Sequence, residues 1–102
     1  MQTVLEGHVA LVIGGSSPKG RALAILLAEA GADVAVATLT RDKKEEVLAN
    51  SCANEVWAIG RRGFAAVIDA NEPAEVEALK QRVIQEFGRL DIVVEALPDS
   101  AH

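Results

Sequence analysis

The residues best able to do chemistry sit together in "IGGSSPKG", residues 13–20, where glycines, serines and a lysine precede an apolar run. A glycine turn that opens a helix is a natural anion site, because backbone N–H groups and the positive end of the helix dipole converge there. Two phosphate-binding patterns can be laid on it. The fingerprint G-x-G-x-x-G requires a glycine two residues after the first, but Ser16 stands there after Gly14, and the pattern fails. The pattern G-x-x-x-x-G-K-[ST] finds Gly15 and Gly20 correctly spaced, yet Arg21 and Ala22 replace its lysine and its magnesium-binding hydroxyl, which argues against Mg-nucleotide chemistry.

Pro18 leaves two readings of this loop open. Proline fixes φ at about −65°, restricts the residue before it, here Ser17, and removes one N–H that a phosphate would use. It also suits the first turn of a helix, with Ser16 or Ser17 as the cap. The loop is either a weakened nucleotide grip made by Gly14, Ser16, Ser17, Lys19 and Gly20, or a capped helix start and nothing more. Lys19 and Arg21 add positive charge in both cases.

An acidic residue about 20 positions beyond such a loop would accept the ribose 2′-hydroxyl of NAD. Thr38, Leu39, Thr40 and Arg41 occupy that region instead, and Arg41 with Lys19 could face the 2′-phosphate of NADP. The pattern therefore favours NADP over NAD if either binds; the alternative for Arg41 is a solvated residue of a first helical turn. Cys52 is the single cysteine and reads as an inert helix-face residue rather than a reactive thiol or metal ligand. His8 and His102 have no catalytic neighbour in sequence, and Trp57 reads as core or interface packing. The run "RDKKEE", residues 41–46, reads as a solvated face.

Composition narrows the classes of function. The chain has 102 residues, half of them apolar, with ten basic against fifteen acidic side chains and a formal charge of −5. That balance suits one globular domain, residues 1–102, and makes nucleic acid a poor partner. No apolar run approaches the roughly 20 residues that span a bilayer, and the opening "MQTVLEGHVALV" lacks a basic leader, so a cytoplasmic protein is expected.

Hydrophobic periodicity supplies the elements that would position the loop. "HVALVI", residues 8–13, reads as a strand covered on both faces. "RALAILLAEA" places Leu23, Leu26, Leu27 and Ala30 on one helical face, and Gly31 ends it. "DVAVAT", residues 33–38, is a second strand. Thr40 then caps a helix with Val47, Leu48, Cys52, Val56 and Ile59 facing inward, ended by Gly60. "FAAVI", residues 64–68, is a third strand, followed by a helix capped by Asn71, with Pro73 in its first turn and a stripe of Val76, Leu79, Val83, Ile84 and Phe87 before Gly88. "LDIVVEAL", residues 90–97, is the fourth strand. The order βαβαβαβ needs right-handed crossovers and gives an α/β fold with a parallel sheet. Ligands of such sheets sit beyond the carboxyl ends of the strands, where the glycine loop would lie.

The chain resembles the N-terminal half of the short-chain dehydrogenase/reductases. Their motif T-G-x-x-x-G-x-G becomes "IGGSSPKG" here, with Gly14 and Gly20 matching while Ile13, Pro18 and Lys19 replace the threonine, the middle glycine and an aliphatic residue. "RALAILLAEAGADVAVA", "IDANEPAEVEAL" and "FGRLDIVV" continue the likeness over nearly the whole chain. The resemblance implies a three-layer Rossmann-like half with sheet order 3-2-1-4, binding of NAD(P), and an adenine-contacting role for Asp69. On the residues alone, Asp69 could equally be a strand-end side chain accepting backbone N–H bonds.

The departures from the family set the functional expectation. Glu95, Ala96, Leu97 and Pro98 replace the family's N-N-A-G, and its catalytic tyrosine and lysine fall further along a chain about twice as long. No tyrosine occurs here, so no catalytic residue is assigned and no dehydrogenase activity is expected of this chain alone. A complementary protein half could supply the missing groups. With the sheet ordered 3-2-1-4, "DIVVEAL" becomes an apolar edge strand that invites pairing with a second copy. The alternative function is thus a noncatalytic homodimeric or partner-binding module that keeps the fold but not the nucleotide site.

Overall fold

Val9–Ile13 (β1) is five apolar residues, all buried, which is the pattern of a strand covered on both faces. It is followed by α1 (Pro18–Glu29), β2 (Asp33–Ala37), α2 (Lys43–Ile59), β3 (Gly63–Ala66), α3 (Pro73–Phe87) and β4 (Ile92–Glu95). The computed structural model describes residues 4–96. The strands form one parallel sheet in the order β3-β2-β1-β4, as expected from the sequence. Leu11 of β1 stands opposite Ala35 of β2 and Val93 of β4.

Alternate strand residues feed two cores, because successive side chains point to opposite faces of a sheet. Ala10, Val12, Val34 and Val36 pack with Ala24 and Ala28 of α1 and with Ala49, Cys52 and Val56 of α2. Leu11, Ile13, Ala35 and Ala37 pack on the other face with Leu79 and Val83 of α3. The result is the three-layer Rossmann-like half, with the strands' carboxyl ends and the loops that follow them gathered at one edge.

The first two helices differ from expectation in which residues they turn inward, and the third departs at Ile84 alone. In α1 the buried residues are Gly20, Ala24 and Ala28, whereas Leu26 is 61% exposed. The reason is distance: α1 starts so close to the end of β1 that only small side chains fit between them. In α2 Ala49, Cys52, Ala53 and Val56 face the core while Val47 and Leu48 are exposed. In α3 Leu79 and Val83 are buried, Val76 and Phe87 pack at the margin, and Ile84 is exposed.

The caps also shift. Asp42, not Thr40, caps α2, its Oδ1 accepting from the Lys44 amide at 2.8 Å. Glu72, not Asn71, occupies the cap position of α3 and makes no side-chain cap bond. Gly60 and Gly88 end α2 and α3 in the left-handed conformation, as their positions predicted. Strand β3 stops at Ala66 because Ile68 is bonded to the Thr38 side chain instead of a neighbouring strand.

At the far edge, Asp91 fastens the start of β4 to β1. Its Oδ2 accepts from the Val9 amide at 2.9 Å, and both its oxygens accept from Arg89. The Arg89 guanidinium and the Val9 amide hold its carboxyl below the ordinary aspartate value. Among the described residues β4 pairs only with β1, which leaves its outer edge open and Val93 44% exposed.

Candidate functional site

The loop after β1 turns on Gly14, whose φ of +96° is open to glycine at little cost. Gly14 and Gly15 donate their amides to the Ala37 carbonyl at 2.8 and 3.1 Å, which ties the loop to the end of β2. Ser17 caps α1: its Oγ accepts from the Gly20 amide at 3.0 Å and donates to the Gly14 carbonyl at 2.8 Å. Pro18 is then the first helical residue, where its missing N–H breaks no helical bond. Among the described residues, the Ser16 and Lys19 amides take no hydrogen-bond partner. Ser16 borders a shallow depression of about 180 Å³ that is also lined by Gly15, Ser17, Pro18, Arg21 and Leu48.

The next two helices begin differently. In α2 the third helical residue is Glu45, which folds back over the end of β2. Its Oε1 accepts from the Leu39 amide at 2.7 Å, the Thr40 amide at 3.2 Å and Ser16 Oγ at 3.0 Å; its Oε2 accepts from Thr40 Oγ1 at 2.6 Å. Burial raises the proton affinity of this carboxyl, but the Thr40, Leu39 and Ser16 hydrogen bonds outweigh it and leave the pKa below the ordinary glutamate value. In α3 the third helical residue is Glu75, whose Oε1 accepts from the Asp69 amide at 3.0 Å and from Arg41 Nη2 at 2.6 Å. In α1 the same position is Gly20, and the first turn holds no acid. Two of the three helix starts are therefore occupied by a carboxylate, and the one at the glycine loop is open to an anion.

Each residue expected at the site has a definite place. Gly14 and Gly20 form the turn and its contact with α1, Ser17 is the cap, and Ser16 is held by Glu45. Lys19 is exposed and has no ion pair among the described residues. Arg41 is solvated, its side chain 61% exposed, but it precedes α2 rather than standing in its first turn; it pairs with Glu75 and lines a depression with Ala66, Val67 and Ile68 that shares no residue with the one at the glycine loop. Asp69 Oδ1 accepts from the Asn71 amide at 2.9 Å and closes the turn into α3.

Glu45 was hidden inside the run 41–46 that reads as a solvated face, and Glu75 inside the third helix, where only the apolar stripe stands out. The signal that locates them is a carboxylate three residues after a helix cap, Asp42 to Glu45 and Glu72 to Glu75, the spacing that lets a side chain reach back to free amides. Arg21, which lines the depression, pairs with Glu55 of α2. Cys52 is fully buried, and burial raises its pKa against the lowering influence of Arg21, as fits an inert thiol. Trp57 is 72% exposed and has no core role. Leu97, Pro98 and His102 lie outside the described residues.

The family of this fold follows from comparison with known proteins. Residues 8–96 match the family "short chain dehydrogenase". This chain belongs to the short-chain dehydrogenase/reductases. It is 37% identical over 92 residues to a short-chain dehydrogenase/reductase of Armillaria gallica, covering 90% of this chain and 34% of that protein. It is 36% identical over 91 residues to an L-rhamnose 1-dehydrogenase (NAD(P)(+)) of Sphingomonas, covering 89% and 34%. A short chain dehydrogenase from Burkholderia cenocepacia J2315, solved in complex with NADP, superposes with a TM-score of 0.79 at 39% identity, over 88% of this chain and 35% of that one. A hydroxysteroid dehydrogenase from Escherichia coli superposes with the same score of 0.79 at 30% identity, over 91% and 37%. The chain thus spans about a third of the length of these relatives. No helix among the described residues is long and apolar enough to cross a membrane.

Proposed function

We propose that residues 1–102 form a Rossmann-type unit that binds NAD(P) at the glycine loop and that these residues alone do not carry out dehydrogenase or reductase chemistry. The observation that carries the binding reading is the start of α1, where the Ser16 and Lys19 amides have no partner among the described residues and the first turn holds no acid. These two donors, the helix dipole and the Lys19 ammonium suit a pyrophosphate. Gly14 and Gly20 keep the loop close to α1, Ser16 and Ser17 set its shape, and Asp69, in the turn into α3, is assigned the adenine contact that the family resemblance implies. The family's similarity to an NADP complex supports the same class of ligand.

A bound nicotinamide would supply the hydride, but transfer to or from a carbonyl also needs an acid or base at the substrate oxygen. The chain contains no tyrosine, so its own residues bind and orient the cofactor only. Of the two cations behind the preference for NADP, Arg41 pairs with Glu75 and Lys19 has no ion pair among the described residues. A cytoplasmic setting suits a domain whose one thiol, Cys52, stays unpaired and buried.

Titration with NADH and NADPH, followed by calorimetry or Trp57 fluorescence, should show saturable binding. Pro18→Gly returns a backbone donor beside the pyrophosphate, and a hydrogen bond to a charged group should tighten binding about tenfold. No saturation at millimolar cofactor would remove the reading. Unchanged affinity in Pro18→Gly would reduce the loop to a helix start.

A second reading rests on the open edge of β4. Two copies pairing β4 against β4 about a two-fold axis would make a continuous sheet and cover Val93. In this reading the chain is a noncatalytic homodimeric module, or docks a complementary protein half at the same edge. Sedimentation at micromolar concentration should show a dimer; a monomer would rule out the homodimer.

A further inference from the structure

We infer that Glu45 makes this site select NAD(H) over NADP(H), an inference that rests on the nucleotide-binding reading above. Its carboxylate bonds Ser16 of the β1–α1 loop and the Leu39 and Thr40 amides of the β2–α2 loop at once, so it lies across the carboxyl ends of β1 and β2. In a sheet of this kind the adenosine ribose is recognised on that side by an acidic side chain that accepts its 2′-hydroxyl. The end of β2 carries no such acid; α2 delivers one from its first turn instead.

The acceptor count leaves room for a ribose hydroxyl. An ionised carboxylate offers roughly four acceptor sites over its two oxygens. Glu45 Oε1 takes three donors and Oε2 takes one, and the side chain is only half-buried. One direction at Oε2 stays open. Its four donors also keep the group ionised at neutral pH.

The same arrangement opposes a 2′-phosphate. The hydroxyls of Ser16 and Thr40, which could donate to a phosphate, already donate to Glu45. Of the nearby cations, Arg41 is held by Glu75 and Lys43 by Glu46, while Lys44 borders an apolar depression with Val47 and Leu48. A phosphate entering here would meet the fixed charge of Glu45, with Arg41 and Lys43 already committed to other carboxylates.

Two measurements test this on the chain as it stands. NADH should bind at least about tenfold more tightly than NADPH, and ADP should compete more strongly than 2′,5′-ADP, because like charges in close contact are strongly disfavoured. Glu45→Gln keeps an acceptor oxygen but removes the charge, and should bring the NADH and NADPH affinities to within about threefold of each other. A purely structural role for Glu45 would weaken both cofactors together and leave their ratio unchanged, which would overturn the inference. Equal competition by ADP and 2′,5′-ADP on the unmodified chain would overturn it without any variant. Failure of both cofactors to bind would remove the nucleotide-binding reading itself, and this inference with it.

Discussion

Gly20→Ala is expected to destabilise the protein by about 2–3 kcal/mol, although alanine is the better helix former by about 1 kcal/mol. Gly20 is in the first turn of α1, and a Cβ there would press into the Gly14 carbonyl oxygen, with Gly14 C at 2.6 Å and Gly15 N at 3.0 Å. These are backbone atoms of a loop fixed by two hydrogen bonds from its amides to the Ala37 carbonyl, so no flexible side chain can yield. Either α1 lifts away from β1, opening the core around Ala24 and Ala28, or the loop is pushed off β2. For a domain of this size the loss corresponds to a melting temperature lower by roughly 10–20 °C, readable by circular dichroism. Nucleotide affinity should fall too, since the Ser16 and Lys19 amides move with the loop. A variant melting within a few degrees of the parent would show that the contact between α1 and β1 relaxes freely, and the tight-packing account of the loop would be wrong.

That contact also explains which parts of the structure were legible in the sequence. Strand and helix order could be read from period alone, and right-handed crossovers then limited the sheet to few arrangements. The phase of α1 could not. Leu23, Leu26 and Leu27 are its most apolar residues, but the side facing the sheet is set by how near the helix lies to β1, and nearness selects Gly20, Ala24 and Ala28. Thr40 is an equally instructive case. It has the side chain of a cap, but its hydroxyl is drawn to Glu45, and Asp42 caps α2 instead. Glu45 turns inward only because the end of β2 presents amides that no strand satisfies, a demand that exists once the sheet has formed. Arg41 points to the same limit: its partner Glu75 is 34 residues away, and only the adjacency of the β2 and β3 ends brings them together.

Thr38→Val should cost about 2–4 kcal/mol, measured by urea unfolding, even though valine nearly matches threonine in shape. Thr38 is fully buried just past the end of β2. Its Oγ1 donates to the Ile68 carbonyl at 3.0 Å and accepts from the Ile68 amide at 2.9 Å, replacing the strand partner that Ile68 lacks. Valine would leave both of these buried backbone groups unpaired, at about 1–3 kcal/mol each, and the extra methyl would return only about 0.8 kcal/mol. Thr38→Ser is the control. It keeps the hydroxyl and removes one methyl, so its cost should be about 1 kcal/mol. The difference between the two variants isolates the hydrogen bonds from the packing. Loosening Ile68 also releases the segment that carries Asp69, which is then tied to the loop after β2 by the bond from the Ala70 amide to the Leu39 carbonyl, 2.8 Å, and through Glu75, which holds both the Asp69 amide and Arg41. Amide exchange should therefore accelerate at Ile68, Asp69 and Ala70 in the valine variant before it does in β1. If valine proves as stable as serine, the hydroxyl is dispensable and the Ala70 and Glu75 bonds suffice to anchor the segment.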